Sequence, residues 1–221
     1  MNYMAIAKTN KSYRRISGAV IAVVAAFVCY AAFMAIYTLA GDYEKRIVFG
    51  IGYIIAVILG LMYVIIRINT VFTTYLATDG KNVYMKNWVN DFLPYNVRGI
   101  SFLKAFIPAK TKMTEIPVEE IKNIYIGTKN FIRRNAAANE EFVGSIKSLD
   151  RDKSDRKQIR NIEIFYVETI NGEGGYMPIV KFSKKNVNKI LKIVKTKNKN
   201  IEIKSGNKAY KTFRNEASDA E

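Results

Sequence analysis

Acidic side chains that could take part in acid–base or metal chemistry occur in three short clusters. The clusters are Glu119-Glu120, Glu140-Glu141, and Asp150 with Asp152 and Asp155. Zinc sites mostly use Cys and His ligands, and many hydrolases pair their nucleophile with His. The chain has no His and one Cys, so it lacks both kinds of site. We interpret the clusters as solvated charge and predict a protein that is not an enzyme and holds no metal or cofactor.

Lysines near the C-terminus are the most prominent candidates for binding. They are Lys184, Lys185, Lys189, Lys192, Lys195, Lys197 and Lys199. The whole chain has 35 Lys and Arg against 19 Asp and Glu, a net charge of +16. Each Lys near an anionic membrane surface contributes about 1 kcal/mol, which predicts binding of these lysines to membrane lipids. A solvated face produced by a Lys-rich composition is the alternative.

A second group of side chains combines aromatic rings with cations, as in proteins that bind single-stranded nucleic acid. Its members are Tyr125, Phe131, Arg133 and Arg134. The same residues would equally form the core face of a strand that ends in an exposed basic turn. No recognition motif accompanies them, so nucleic acid is the less favoured partner.

Two long apolar segments precede the basic region. Ile16–Gly41 contains no charge over 26 positions, and Ile47–Ile66 contains none over 20. A helix of about 20 residues spans roughly 30 Å, the thickness of the hydrocarbon core. The first segment is too long for the apolar part of a typical signal peptide, which is the alternative interpretation. The sequence therefore predicts a transmembrane hairpin over residues 16–66, with helices over 16–41 and 47–66.

The flanking charges predict how this hairpin is oriented. Lys8, Lys11, Arg14 and Arg15 precede the first helix, and 29 Lys and Arg against 17 Asp and Glu follow Ile66, a net charge of about +12. Cytoplasmic segments next to spans are enriched in Lys and Arg. We therefore expect a cell-membrane protein with two spans and both termini in the cytoplasm. Cys29 lies inside the first helix, where no second Cys can pair with it.

Small residues follow one face of the second apolar segment. Gly52, Ala56 and Gly60 occur at four-residue spacing, which favours close approach of another helix. The two helices of the hairpin packing together is the simpler interpretation, and contact with a second copy or another protein is the alternative. Neither apolar segment contains an ionisable residue of the kind that marks proton or ion pathways, so we predict an anchor.

The part of the chain after the hairpin has the signals of a β domain. Asp79-Gly80 and Asn171-Gly172 are pairs typical of tight hairpin turns, so Gly172–Gly175 is better explained as a turn than as a phosphate loop. Further strands are predicted over Gly99–Ile107 and before Gly127. Residues 135–157 are predicted to form a long loop, with a short helix around 136–142.

One amphipathic helix follows these strands. Val187, Ile190, Leu191 and Val194 recur at helical spacing, and Ser183 precedes them as an N-cap candidate. Residues 200–204 are predicted to add a short extension. The segment 205–221 is predicted to be a disordered tail, and residues 1–15 a basic N-terminal segment.

Three stretches resemble bacterial pleckstrin-homology-like (PH-like) domains that follow a two-helix membrane hairpin. They are "TTYLATDGKNVYMKN" (73–87), "EIPVEEIKNIYI" (115–126) and "FSKKNVNKILKIV" (182–194). The resemblance implies a sandwich or barrel of about six or seven antiparallel strands over residues 70–204, closed by a C-terminal helix. It also implies a binding module without a catalytic centre. The phosphoinositide pocket of some relatives does not carry over, because the first hairpin offers only Lys81.

The sequence thus favours an α+β protein with a membrane anchor and a cytoplasmic PH-like module. We expect this module to bind a protein partner, the anionic membrane surface or both, as an accessory or scaffold subunit of a membrane assembly. An exposed sheet edge, or the groove beside the closing helix, could hold an extended peptide. The alternative is a small membrane component of a transport or conjugation machine that contacts nucleic acid through its basic tail.

Overall fold

A computed structural model of the chain describes residues 2–41, 44–88, 111–136, 163–171, 174–179 and 181–212. They fall into two compact units. The helical unit contains residues 11–72, and the β unit contains residues 1–10 and most of the chain from residue 73 onward. The predicted α+β class is confirmed. The predicted strand over Gly99–Ile107 and most of the predicted loop over 135–157 lie outside the described residues.

The helical unit is an antiparallel pair of long helices. Helix α1 is Lys11–Ala40 and helix α2 is Arg46–Ile68, followed by a π-helical turn over Asn69–Thr73. Both helices are long and apolar enough to cross a membrane. Helix α1 begins five residues before the predicted boundary, because its basic first turn is helical as well.

The two helices pack through small side chains at coiled-coil spacing. The buried positions of α1 are Ser17, Val28, Ala31, Ala35 and Thr38, of which the last four lie three or four residues apart. Such residues let two backbones approach closely without a bulky core. The hydroxyl of Thr38 donates a hydrogen bond to the Met34 carbonyl at 2.7 Å, so this buried polar group is satisfied within its own helix.

The remaining surface of the two helices is apolar and exposed. Only 17% and 11% of the most apolar stretches of α1 and α2 are buried. Large side chains such as Phe27, Ile36 and Val48 are 56%, 71% and 70% exposed. The helices therefore present an apolar surface on all sides except their mutual contact.

The first sheet of the β unit has four antiparallel strands in the order β1-β2-β3-β4. They are β1 Ala5–Ala7, β2 Tyr75–Thr78, β3 Asn82–Trp88 and β4 Thr111–Pro117. The predicted hairpin at Asp79-Gly80 is confirmed as the β2–β3 turn. Gly80 has a φ of +88°, a conformation that favours glycine.

The second sheet has the order β7-β6-β5-β8. Its strands are β5 Ile121–Gly127, β6 Ile164–Thr169, β7 Gly174–Pro178 and β8 Glu202–Ser205. A 3₁₀ turn over Val118–Glu120 precedes β5, and a short helix α3, Lys129–Asn135, follows it. The antiparallel β6–β7 pair confirms the hairpin predicted at Asn171. Helix α3 ends where the short helix was predicted to begin.

Helix α4, Lys184–Lys197, packs on the core that the inward faces of both sheets form. Val187, Ile190, Leu191 and Val194 are all buried, as their spacing predicts. Ser183 stands at the N-cap position, but its side chain makes no capping bond. Its carbonyl instead accepts hydrogen bonds from the amides of Asn186 and Val187, each at 3.0 Å.

The strand arrangement differs from the predicted one in three respects. The described residues contain eight strands rather than about six or seven, and these strands form two sheets, so the barrel form of the predicted sandwich or barrel is not supported. Helix α4 packs on the core but is not the last element, because β8 follows it and overlaps the extension predicted at 200–204. Strand β8 runs parallel to β5, which the helical crossover between β7 and β8 permits.

Both predicted terminal segments contain structure that the prediction missed. Within the predicted basic N-terminal segment, β1 pairs with β2, and Ala5, Ala7 and Thr9 are buried at alternate positions. Residues 205–212 are not a disordered tail, because Tyr210 is buried and its hydroxyl bonds the Glu163 carboxylate at 2.9 Å. Burial beside this carboxylate raises the pKa of Tyr210, which keeps the hydroxyl protonated as a donor. Residues 213–221 lie outside the described residues.

Candidate membrane interface

The predicted lysines of helix α4 and the turn after it do not all lie on one face. Lys185, Lys189 and Lys192 project opposite the buried face of the helix and are exposed, and we call them the outer lysine face. The salt bridge found among the described residues joins Lys204 and Glu202 of β8 at 3.0 Å. It does not involve the outer lysine face. The outer lysine face therefore presents three positive charges without a carboxylate contact in the described part of the chain.

The other four predicted lysines do not join this face. Lys184 lies over the Tyr210 ring, 5.7 Å from its centroid. The Lys195 amine donates to the carbonyls of Lys199 and Ile201 at 2.6 and 2.9 Å, and so holds the turn that leads into β8. Lys197 runs beside Gly80 on the flank of the helix, and Lys199 is exposed in the following turn. The predicted lysine cluster is thus only partly a single surface.

The three small residues predicted for helix contact have different surroundings. At Gly60 a side chain would collide with Val28 of α1, so this glycine lies in the contact between the helices. Gly52 has nothing within 4 Å of where its side chain would stand, and Ala56 is half-buried. Gly50, which the sequence analysis did not select, lies against Leu39.

The aromatic and basic residues considered for nucleic acid are not brought together as a stacking surface. Tyr125 is buried, and its hydroxyl donates to Glu168 at 3.1 Å. Burial and the neighbouring carboxylate raise the pKa of Tyr125, so the hydroxyl stays protonated in this bond. Phe131, on α3, packs over Gly127 and Gly206, whereas Arg133 and Arg134 are exposed on the same helix.

The acidic clusters do not form a metal site where the structure describes them. Glu119 and Glu120 are exposed in the 3₁₀ turn before β5. The clusters at 140–141 and 150–155 lie outside the described residues. Among the described residues, no group of three or more His, Cys, Asp or Glu side chains is placed to hold a metal ion.

A basic and aromatic cluster that was not predicted from the sequence lies at the open end of the hairpin, where α1 begins and α2 ends. The Arg67 guanidinium donates to the Tyr13 hydroxyl at 2.9 Å and to the Tyr63 hydroxyl at 3.2 Å. Arg14 lies over the Phe72 ring, 5.2 Å from its centroid. The four-residue interval from Tyr63 to Arg67 signals one of these contacts, but the contacts across the two helices require the fold.

A second aromatic cluster lies on the first sheet. The rings of Tyr3 and Tyr84 meet edge to face with centroids 5.3 Å apart, and the hydroxyls of Tyr3 and Tyr75 are 3.0 Å apart. Burial, together with the bond to Tyr3, raises the pKa of Tyr75 to about 12. The amines of Lys8 and Lys86 lie 5.9 and 5.7 Å from the Tyr75 ring. This face is therefore aromatic and positively charged.

The groove between the first sheet and the start of α4 is occupied by the N-terminal segment of the chain itself. The Met4 amide donates to the Thr78 carbonyl at 2.8 Å on the sheet side. On the helix side, the Ser183 amide donates to the Lys8 carbonyl at 3.0 Å. Thr9 forms an isolated antiparallel bridge with Phe182. The segment thus pairs with the outer edge of β2 and continues to the residues before α4, so the chain itself fills the groove considered above for a peptide.

The Asp79 turn predicts a pH-dependent stability. Burial disfavours the Asp79 carboxylate, but hydrogen bonds from the Asn82 and Lys81 amides and the Tyr84 hydroxyl outweigh it and hold the pKa below its ordinary value. The stabilisation is therefore present above the carboxyl's ordinary pKa of 3.8 and is lost as pH falls through the folded-state pKa. We expect the melting temperature of Asp79→Asn to depend less on pH than that of the wild type between about pH 5 and about pH 2. Glu119→Gln is the control, and an unchanged slope in Asp79→Asn would refute this assignment.

Comparison of the chain with protein-family models, curated proteins and solved structures finds no match in any of the three. The functional argument therefore rests on the surfaces described above.

Proposed function

We propose that this protein is a non-enzymatic integral membrane protein whose helical hairpin anchors a PH-like binding module at the membrane surface. The observation that carries the proposal is the apolar surface of α1 and α2, most of which is exposed. Apolar patches in water-soluble monomers rarely exceed a few hundred Å², and helices that are apolar all round are typical of membrane spans. Lipid is the solvent that suits this surface.

The strand pairing supports a hairpin that crosses the membrane twice. Strand β1 precedes α1 and strand β2 follows α2, yet the two strands are hydrogen-bonded partners. This pairing favours a topology in which both ends of the hairpin lie on the same side of the membrane, as two crossings would place them. Cleavage after α1, as in a signal peptide, would remove β1 from the folded β unit.

The charge distribution supports placing the β unit in the cytoplasm. Residues 1–41 contain four Lys or Arg and no Asp or Glu, and residues 47–78 contain Arg67 and no acid. The connector at the closed end of the hairpin balances Lys45 and Arg46 with Asp42 and Glu44. Positive charge next to spans is retained on the cytoplasmic side. The open end of the hairpin therefore faces the cytoplasm in this proposal.

The β unit would then act as a module that binds the anionic leaflet through its outer lysine face. Three lysines at about 1 kcal/mol each would favour docking by roughly 100-fold. Docking fixes which surfaces of the β unit remain open to a protein partner, which is what an accessory or scaffold subunit requires.

The test uses the full-length protein in lipid nanodiscs. A fluorophore is attached to Thr196→Cys in a Cys29→Ser background, because Thr196 is exposed between the outer lysines and the end of α4. Quenching by headgroup-labelled lipid reports docking. We expect strong quenching in anionic nanodiscs at physiological salt, and little in neutral nanodiscs or at high salt.

The variant that tests the lysines is the triple Lys185→Gln, Lys189→Gln and Lys192→Gln. We expect it to lose most of the quenching, because the electrostatic contribution of these three side chains is removed. The charge-matched control replaces Lys81, Lys122 and Lys208, which are exposed elsewhere on the β unit. Equal loss in both triples would attribute docking to net charge alone. Retention in both would reject the outer lysine face as the docking surface, because the β unit would still reach the membrane without these three charges.

A further inference from the structure

The open end of the hairpin holds two guanidinium groups in fixed positions between aromatic side chains. Arg67 bonds two tyrosine hydroxyls, one from each helix, and Arg14 of α1 lies against Phe72 of the turn that follows α2. The Arg67 guanidinium also lies 6.0 and 5.7 Å from the ring centroids of Tyr13 and Tyr63. These contacts restrict the side chains before any ligand binds.

This end of the helical unit has positive charge and no acid of its own. Lys11, Arg14, Arg15 and Arg67 lie in the first turns of α1 and the last turn of α2, where the helical unit carries no Asp or Glu. At the closed end, two cations and two acids balance. The net positive charge of the hairpin sequence therefore lies at its open end.

The apolar part of each helix ends at this open, positively charged end of the hairpin. Ile16 begins the uncharged run of α1, and Ile66 ends that of α2. Tyrosines are enriched at the membrane–water boundary, where the ring lies at the headgroups, and basic side chains near helix ends extend toward the same region. Lipid phosphates occupy this level of a bilayer. A guanidinium fork matches two phosphate oxygens, which a lysine amine does not.

We propose that the open end of the hairpin binds the phosphate of an anionic phospholipid through Arg14 and Arg67, which Tyr13, Tyr63 and Phe72 hold in position. The inference rests on the membrane embedding proposed above and adds to it a site between the two helices. It is distinct from the outer lysine face, which belongs to the β unit. A lipid bound here would fasten the start of α1 to the end of α2.

Native mass spectrometry of the full-length protein tests this site directly. The detergent-solubilised protein is mixed with equal amounts of phosphatidylglycerol and phosphatidylcholine, and the lipid molecules retained on each protein are counted. We expect the wild type to retain one phosphatidylglycerol in preference to phosphatidylcholine. The double variant Arg14→Gln/Arg67→Gln should lose this preference by on the order of tenfold, because two cations at the headgroup level are removed.

The matched control is Lys45→Gln/Arg46→Gln, which removes two positive charges at the other end of the same hairpin. It should keep the preference for phosphatidylglycerol. A conservative variant, Arg67→Lys, keeps the charge but not the fork, so we expect an intermediate preference. Helix content measured by circular dichroism verifies that each variant retains the hairpin.

Three outcomes would overturn the site. The preference could persist in Arg14→Gln/Arg67→Gln, or it could fall equally in the control. Alternatively, millimolar inorganic phosphate could remove the bound lipid, which would assign the site to a soluble phosphate. Failure of the membrane embedding itself would be recognised separately, because alkaline carbonate would then extract the wild-type protein from vesicles.

Discussion

Replacement of Ala7 by Asp is expected to unfold the β unit. Ala7 is fully buried in β1, opposite Leu76 of β2, and its side chain faces the core. The described core around this position consists of apolar side chains, so a carboxylate there would be crowded and unpaired, and burying an unpaired charge costs several kcal/mol. We expect the loss to approach the whole stability of the β unit, which for a domain is about 5–15 kcal/mol. Near-UV circular dichroism and limited proteolysis of the full-length protein measure it.

Asn2→Asp is the matched control for this substitution. It adds the same charge to the same segment, but Asn2 is exposed and precedes β1. We expect the free energy of unfolding of this variant to lie within about 0.5 kcal/mol of that of the wild type, as is usual for surface substitutions. If Ala7→Asp were equally harmless, β1 would contribute little to the β unit, and the two-crossing argument that depends on the β1–β2 pair would fail.

The parts of the fold with strong local signals could be predicted from the sequence. The Asp79-Gly80 turn needs a positive φ that glycine supplies, and the α4 core face needs only regular helical spacing. Strand β1 has three residues, two of them Ala, and Ala is depleted in strands. Its pairing depends on β2, which lies nearly 70 residues later in the chain. Such a strand has no local signal strong enough to predict it.

Strand β8 and the surrounding contacts were difficult for a related reason. Ile203 of β8 and Ile201 just before it are both buried, but a strand of four residues gives no indication of which other strand it pairs with. The lysines were difficult because exposure depends on the face each one occupies. Lys195 and Lys192 are both lysines of the same helix and cannot be told apart from the sequence, yet the Lys195 amine donates to two backbone carbonyls in the turn after the helix. The spacing of residues indicated a basic helix, and only the fold separated binding candidates from structural ones.

The second large effect is expected at the contact between α1 and α2. It is tested by introducing the same substitution at two positions of α2. In Gly60→Leu the new side chain would collide with Val28, whose branched side chain is stiff and cannot turn away easily. We expect the helices to separate or shift, with a loss of about 1–3 kcal/mol, as for other overpacked contacts. Unfolding of the full-length protein in mixed detergent micelles, followed by helix content, measures this loss.

Gly52→Leu introduces the same side chain two turns earlier, where nothing lies within 4 Å. We expect little change in the stability of the monomer, because this position faces away from α1. The pair of variants therefore separates the two roles proposed for the small residues. Destabilisation by Gly60→Leu alone would assign the glycines to packing within the hairpin. If Gly52→Leu instead weakened an association between copies while leaving each hairpin folded, the outward face of α2 would be a second helix contact. Equal effects at both positions would contradict the α1–α2 packing described above.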